Sequence, residues 1–219
     1  MTAAEVHDLL AAVLAGRRLL DHPFYRRWEA GTLEPDELAR YAEQYRHVED
    51  ALPGVLGAVV AGLPEGTARE LVAANLADEV APPDTHLVLF DLFAGAVGAE
   101  ASRPAGPSAA ALVRCQREAA AAGPVPGLSA LAVYEVQAAE VATTKAAGLR
   151  SRYGLEDPAT RFWDVHAGLE SDHGDWLCTA LAALGADADE VVQAATTAAR
   201  RWWEFLDERE SAAPALVAG

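Results

Sequence analysis

Apolar residues recur along most of this chain every three to four positions, and strand-type alternation is almost absent. The periodicity predicts eight helical segments. The first covers about residues 3–20, behind Thr2 as N-cap. His22-Pro23-Phe24-Tyr25 and Trp28 follow in a short turn or helix. A long helix opens at Pro35, a residue favoured at the first helical position, and runs to about Ala61, with Leu38, Tyr41, Ala42, Tyr45 and Val48 keeping the apolar period. Pro64 to Gly66 breaks the chain before a helix over about 67–80, and Pro82-Pro83 separates that from another over about 84–97. A loop over 101–107 leads to a helix over about 108–121. The segment from Ser129 to Tyr153 then reads as a long helix closed by Gly154. Asp157-Pro158 forms an N-cap and first-turn pair for a helix reaching Leu184, and the last helix covers about 187–210. No internal repeat and no linker interrupts this pattern. It predicts an all-α, single-domain bundle of about seven to eight helices over residues 1–210, with 211–219 as a loose tail.

Composition narrows the partners. The chain has 219 residues, enough for one sizeable core, and a formal net charge of −16 from 33 acidic and 17 basic residues. Such a surface repels nucleic acid and anionic membranes. No apolar run reaches the roughly 18 residues needed to span a bilayer, and the first residues lack a basic region followed by a signal core. The expectation is a cytoplasmic protein. Cys115 and Cys178 form no CxxC pair and read as buried free thiols. Of the 17 basic residues, 16 are arginine and Lys145 stands alone. Arginine keeps its proton and is no amine nucleophile, whereas lysine can lose one and act as such.

The candidate chemistry lies on helices. His166, Glu170 and His173 sit at offsets of four and seven, which at about 100° per residue brings them within roughly 60° of one another on a helix surface. Two imidazoles and a carboxylate on one stripe suit a divalent metal with open positions, iron that meets O2 above all. Asp172 competes as a ligand but lies about 100° off the stripe. The alternative is a solvated face, since Glu170, Ser171, Asp172, His173 and Asp175 are all polar. Glu79 precedes His86 by seven residues, but Pro82-Pro83 lies between them, so their convergence depends on a kink. Glu135 sits among apolar neighbours, with Glu140 as its competitor and Lys145 about 80° around the same helix. Tyr25, Tyr41 and Tyr45 could form an aromatic layer. There is no GxSxG, phosphate loop, dinucleotide turn or HExxH.

Taken in order, Glu79, His86, Glu135, His166, Glu170 and His173 resemble the ligand set of the haem-oxygenase-like dimetal oxidases, all-α enzymes sharing the TenA-like fold. Within them the chain is most similar to the branch that includes the Chlamydia protein associating with death domains. The likeness runs over about residues 20–185. It rests on His22-Pro-Phe-Tyr25-x-x-Trp28-x-x-Gly31-x-Leu33, Tyr41-Ala42 with Tyr45, Asn75-Leu76-x-Asp78-Glu79, Tyr134-Glu135-x-Gln137, Lys145, and His166-x-x-x-Glu170-x-x-His173. The resemblance implies two iron ions, or an iron–manganese pair, held by those six residues, with O2 as co-substrate and an external reductant. It also implies self-association, most simply a homodimer. For this branch it further implies formation of p-aminobenzoate from the protein's own side chains: Tyr25 consumed, Tyr41 a nearby participant, Lys145 the nitrogen donor. Glu170 stands where the branch usually has Asp. One of Glu43, Glu49 and Asp50 could add the further carboxylate seen in other dimetal oxidases, which would suit multi-turnover oxidation of a free amino acid or similar small molecule in natural-product biosynthesis. A metal-free binding protein on the same fold is the third expectation.

Overall fold

The computed structural model describes residues 1–212, the side chains of 169–171 apart. Among these residues every regular element is helical. In chain order they are α1 (Ala3–Val13), a short 3₁₀ turn (Leu19–Asp21), α2 (Pro23–Ala30), α3 (Pro35–Gly62), α4 (Thr67–Glu79), α5 (His86–Ala96), α6 (Pro107–Ala122), α7 (Pro124–Tyr153), α8 (Arg161–Ala183) and α9 (Ala188–Ser211). Nine α-helices replace the expected seven to eight because the first predicted segment stops early and the His22 segment is a helix in its own right. Thr2 and Glu5 close a capping box on α1 as predicted, but Gly16 adopts φ 76°, a conformation that ends the run. His22 caps α2 by accepting the Phe24 N–H on Nδ1 at 3.1 Å.

Two further boundaries move. α7 begins at Pro124 rather than Ser129, with proline in the first turn, where its missing N–H costs nothing. α8 begins at Arg161, because residues 157–160 form a turn. There Thr160 Oγ lies 2.8 Å from Arg150, which also pairs with Asp164. The expected tail at 211–219 falls mostly on residues 213–219, outside the described residues.

α7 runs through the middle of the bundle against α6, α8 and α9, while α3 packs on α4, α5 and α6. α8 approaches α7 closely at Gly174, where a Cβ would stand 3.1 Å from the Glu135 carbonyl oxygen. The core has two halves. One is aromatic, built from Phe24, Tyr25, Trp28, Tyr41, Tyr45, Phe90, Phe93, Phe162, Trp163, Trp202 and Phe205 with aliphatic neighbours. The other is aliphatic, from α1, the second half of α3, and parts of α7, α8 and α9. The long helices cross from one half to the other: α3 between Ala51 and Val55, α7 between Val133 and Val141, α8 between Trp163 and Leu177. Among the described residues no helix is long and apolar enough to cross a membrane.

Candidate metal centre

Buried Glu49, Glu79, His86, Glu135, His166 and His173 lie on the helices that cross or flank that seam. α4 ends on Glu79 and α5 starts on His86, whose turn is capped by the Thr85 hydroxyl. The break between the helices lets the two side chains meet, with His86 Nδ1 2.8 Å from Glu79 Oε2. From α8, His166 faces His86 with ring centroids 4.3 Å apart. One ligand atom from each of Glu79, His86 and His166 lies within 4.8 Å of the others, and all three residues are buried. His166 Nδ1 sits 2.7 Å from the Phe162 carbonyl oxygen, so Nδ1 carries the proton and Nε2 is left as the acceptor. Glu135 on α7 is buried and shares with His166 and Glu49 the lining of a small internal cavity of about 20 Å³. His173 is buried too, and its Nε2 lies 3.1 Å from Asp78 Oδ2. That contact fixes the ring and leaves Nδ1 for a ligand. Glu170 belongs to α8, but its side chain lies outside the described residues.

Where the sequence left choices open, burial decides. Glu140 is exposed and paired with Arg18, whereas Glu135 is buried. Asp172 is exposed. Among the three candidate acids on α3, Glu43 pairs with Arg103 at 3.4 Å and accepts the Glu100 N–H, and Asp50 is exposed. Glu49 alone turns into the seam. Burial, reinforced by the neighbouring Glu79 and Glu135 carboxylates, pushes its carboxyl up to about 8. Burial and the adjacent His86 hold His166 well below the usual imidazole range. Burial also pulls on His86, but the hydrogen bond and charge of Glu79 outweigh it and leave that ring raised.

The aromatic half adjoins this cluster. Lys145 is 1% exposed and donates to the Tyr41 hydroxyl, which lies 2.9 Å from the Tyr25 hydroxyl. Its Nζ stands 4.1 Å from the Trp163 ring centre and 4.3 Å from that of Tyr25. These faces stabilise an ammonium by cation–π attraction. Burial raises the Tyr25 phenol far above its ordinary value, so it stays protonated at neutral pH. A second phenol pair, Tyr45 and Tyr134 at 2.6 Å, lines the small cavity. The sequence sets Tyr45 in an aromatic layer and places Asp78 and Tyr134 beside Glu79 and Glu135 in the motifs of the resemblance, but it gives no sign of the Asp78–His173 contact or of the Tyr45–Tyr134 bond.

The chain is 32% identical over 214 residues to a 4-aminobenzoate synthase of Nitrosomonas europaea, covering 90% of this chain and 87% of that one. It is 24% identical over 216 residues to a 4-chloro-allylglycine synthase of Streptantibioticus cattleyicolor, covering 93% and 83%. A TenA homologue from Pseudomonas syringae pv. tomato superposes with a TM-score of 0.80 at 13% identity, over 95% of this chain and 92% of that one, which shows the shared fold. Residues 39–204 match the model of a family described as iron-containing redox enzymes, and the chain belongs to that family of oxidoreductases.

Proposed function

We propose that the seam holds two iron ions and, with O2 and an external reductant, makes 4-aminobenzoate from the chain's own Tyr25, with Lys145 supplying the nitrogen. The donor set fits a pair of cations. Glu79, His86 and His166 offer ligand atoms within 4.8 Å of one another, Glu49 and Glu135 line a cavity with His166, and buried His173 is held by Asp78 beside Glu79, which makes three carboxylates and three imidazoles in all. Glu49 Oε2 has no hydrogen-bond partner among the described residues. Neighbouring buried carboxylates resist ionising together, as the raised Glu49 shows, unless positive charge is added between them. Glu170, one turn beyond His166 on α8, is assigned as the remaining ligand from its register.

Iron bound there would supply the electrons that activate O2 and would oxidise a neighbouring phenol. The chain's residues do the rest. The ring cage keeps water from Tyr25 and holds the Lys145 amine against it. Tyr41 stands between the two polar groups, placed to pass a proton from one to the other. Asp78 orients His173. The observation that carries this reading is the lone lysine, buried among rings and hydrogen-bonded toward Tyr25. The cavity supports it as well: about 20 Å³ is room for one water or a diatomic gas, not for an amino acid.

The test is intact mass together with product yield after iron-loaded protein meets O2 and reductant. Self-consumption predicts a permanent mass loss, a yield at or below one 4-aminobenzoate per chain, and no product from Tyr25→Phe or Lys145→Arg. Several turnovers per chain at unchanged mass would overturn it. That result would favour oxidation of a free amino acid or similar small molecule, the reading consistent with the similarity to the 4-chloro-allylglycine synthase.

A further inference from the structure

Beside the aromatic half, α3, the loop that leads into α6 and the end of α9 line a partly open cavity of about 310 Å³. Three of the chain's 16 arginines, Arg40, Arg103 and Arg209, line it. Arg209 is 7% exposed, and its Nη1 has no hydrogen-bond partner among the described residues. Its other terminal nitrogen is engaged by Glu208 and by Ser108 Oγ at 3.4 Å, and its guanidinium carbon lies 4.7 Å from the Phe205 ring centre. A buried cationic donor is costly to leave unmatched, by more than a neutral group would be.

Three carboxylates also line the cavity, and each is already matched. Glu37 takes two bonds from Arg27, at 2.9 and 2.7 Å. Glu43 is held by Arg103 and the Glu100 N–H. Glu208 accepts the Ser108 N–H at 2.8 Å in the first turn of α6, besides binding Arg209. Gln44 Oε1 is likewise taken, by the Gly106 N–H at 2.6 Å. The acceptors are satisfied while a donor is spare, and the N-terminus of α6 adds its partial positive charge to the same wall.

We infer that this cavity is a binding site for a small organic carboxylate of about benzoate size, whose charge sits between Arg209 and Arg40, with a small turn of the Arg209 guanidinium bringing Nη1 to one oxygen. The volume lies at the lower end of small-molecule sites and suits a single ring. A carboxylate fits the planar guanidinium fork better than a neutral ligand does, and the Phe205 face beneath it helps hold the fork in place. The site shares no residue with the metal cluster, and this inference does not depend on what the cluster does.

Calorimetric titration of the iron-loaded full chain under argon, where no oxidation proceeds, tests it with benzoate, 4-aminobenzoate, aniline and inorganic phosphate. The expected result is saturable one-to-one binding of benzoate and 4-aminobenzoate, at least tenfold weaker for Arg209→Gln and at least threefold weaker for Arg40→Gln. Aniline and phosphate should bind at least tenfold more weakly than benzoate. Arg40 lies at the half-buried rim, so Arg40→Gln decides alone if Arg209→Gln does not fold. Absence of benzoate binding overturns the inference. So does equal binding of aniline or phosphate, or benzoate affinity that is unchanged in a folded Arg40→Gln variant.

Discussion

The two halves of the core share α3, α6, α7, α8 and α9, while α1 and α4 serve only the aliphatic half and α2 and α5 only the aromatic one, and the two differ sharply in chemistry. The aliphatic half draws on Val, Leu, Ala and one Cys, has no aromatic ring, and buries few polar atoms. The aromatic half carries tyrosine hydroxyls, indole N–H groups and the only lysine. The first is filled by side chains that pack and do nothing else. The second holds polar groups among its rings, the tyrosine hydroxyls and the lysine hydrogen-bonded to one another and so able to exchange protons. The ionisable cluster lies where one gives way to the other. Aliphatic packing holds α3, α7 and α8 rigid on one side, and the reactive rings face the cluster from the other.

The sharpest break in that comparison is at the seam itself. His166→Ala should lower iron content and product formation by about 100-fold or more while the helical content stays intact, as read by metal analysis, product assay and circular dichroism. An iron-replete, active variant would refute the centre. Leu177→Ala, wholly within the aliphatic half, should cost about 2–5 kcal/mol of stability in denaturant unfolding, yet leave the yield per folded chain unchanged.

Glu49→Gln gives a smaller effect with a definite sign. The folded metal-free protein keeps that carboxyl protonated up to about 8, against 4.5 ordinarily, so over this range it binds a proton that the unfolded chain has released. Its contribution therefore favours the folded state at low pH and fades as pH rises from about 4.5 to about 8. The fall in melting temperature between pH 5 and pH 8 should be shallower in metal-free Glu49→Gln than in wild type. An identical slope would show that Glu49 does not titrate there. Tyr45→Phe should have the least effect on stability, about 1 kcal/mol for the lost bond to Tyr134, while lowering product yield several-fold. If Leu177→Ala damaged yield more than Tyr45→Phe did, the division of labour between the halves would be wrong.

The sequence showed unevenly which parts would matter. Helical period alone placed His166 and His173 on one face of α8, because an unbroken helix turns offset into direction. It could not place Glu79 against His86, since their meeting is set by the turn over 80–85, whose geometry no period describes. The same limit explains why Glu43, Glu49 and Asp50 looked alike: period assigns a face, not what stands opposite it, and only packing against α4 and α7 singled out Glu49. The apolar pattern overstates the first helix, because Leu19 and Leu20 continue it past Gly16. Arg209 was hidden differently. In the run Asp-Glu-Arg-Glu it reads as a surface charge, and only the close approach of α6 buries it.

The burial of Lys145 reaches beyond any reaction. With every other basic side chain an arginine, the folded molecule presents no side-chain amine to its surroundings. Acylating reagents and amine-directed crosslinkers would find that position shut until the aromatic half opens. Its labelling rate is then a native gauge of how often that half breathes, readable by peptide mass without adding any probe to the chain.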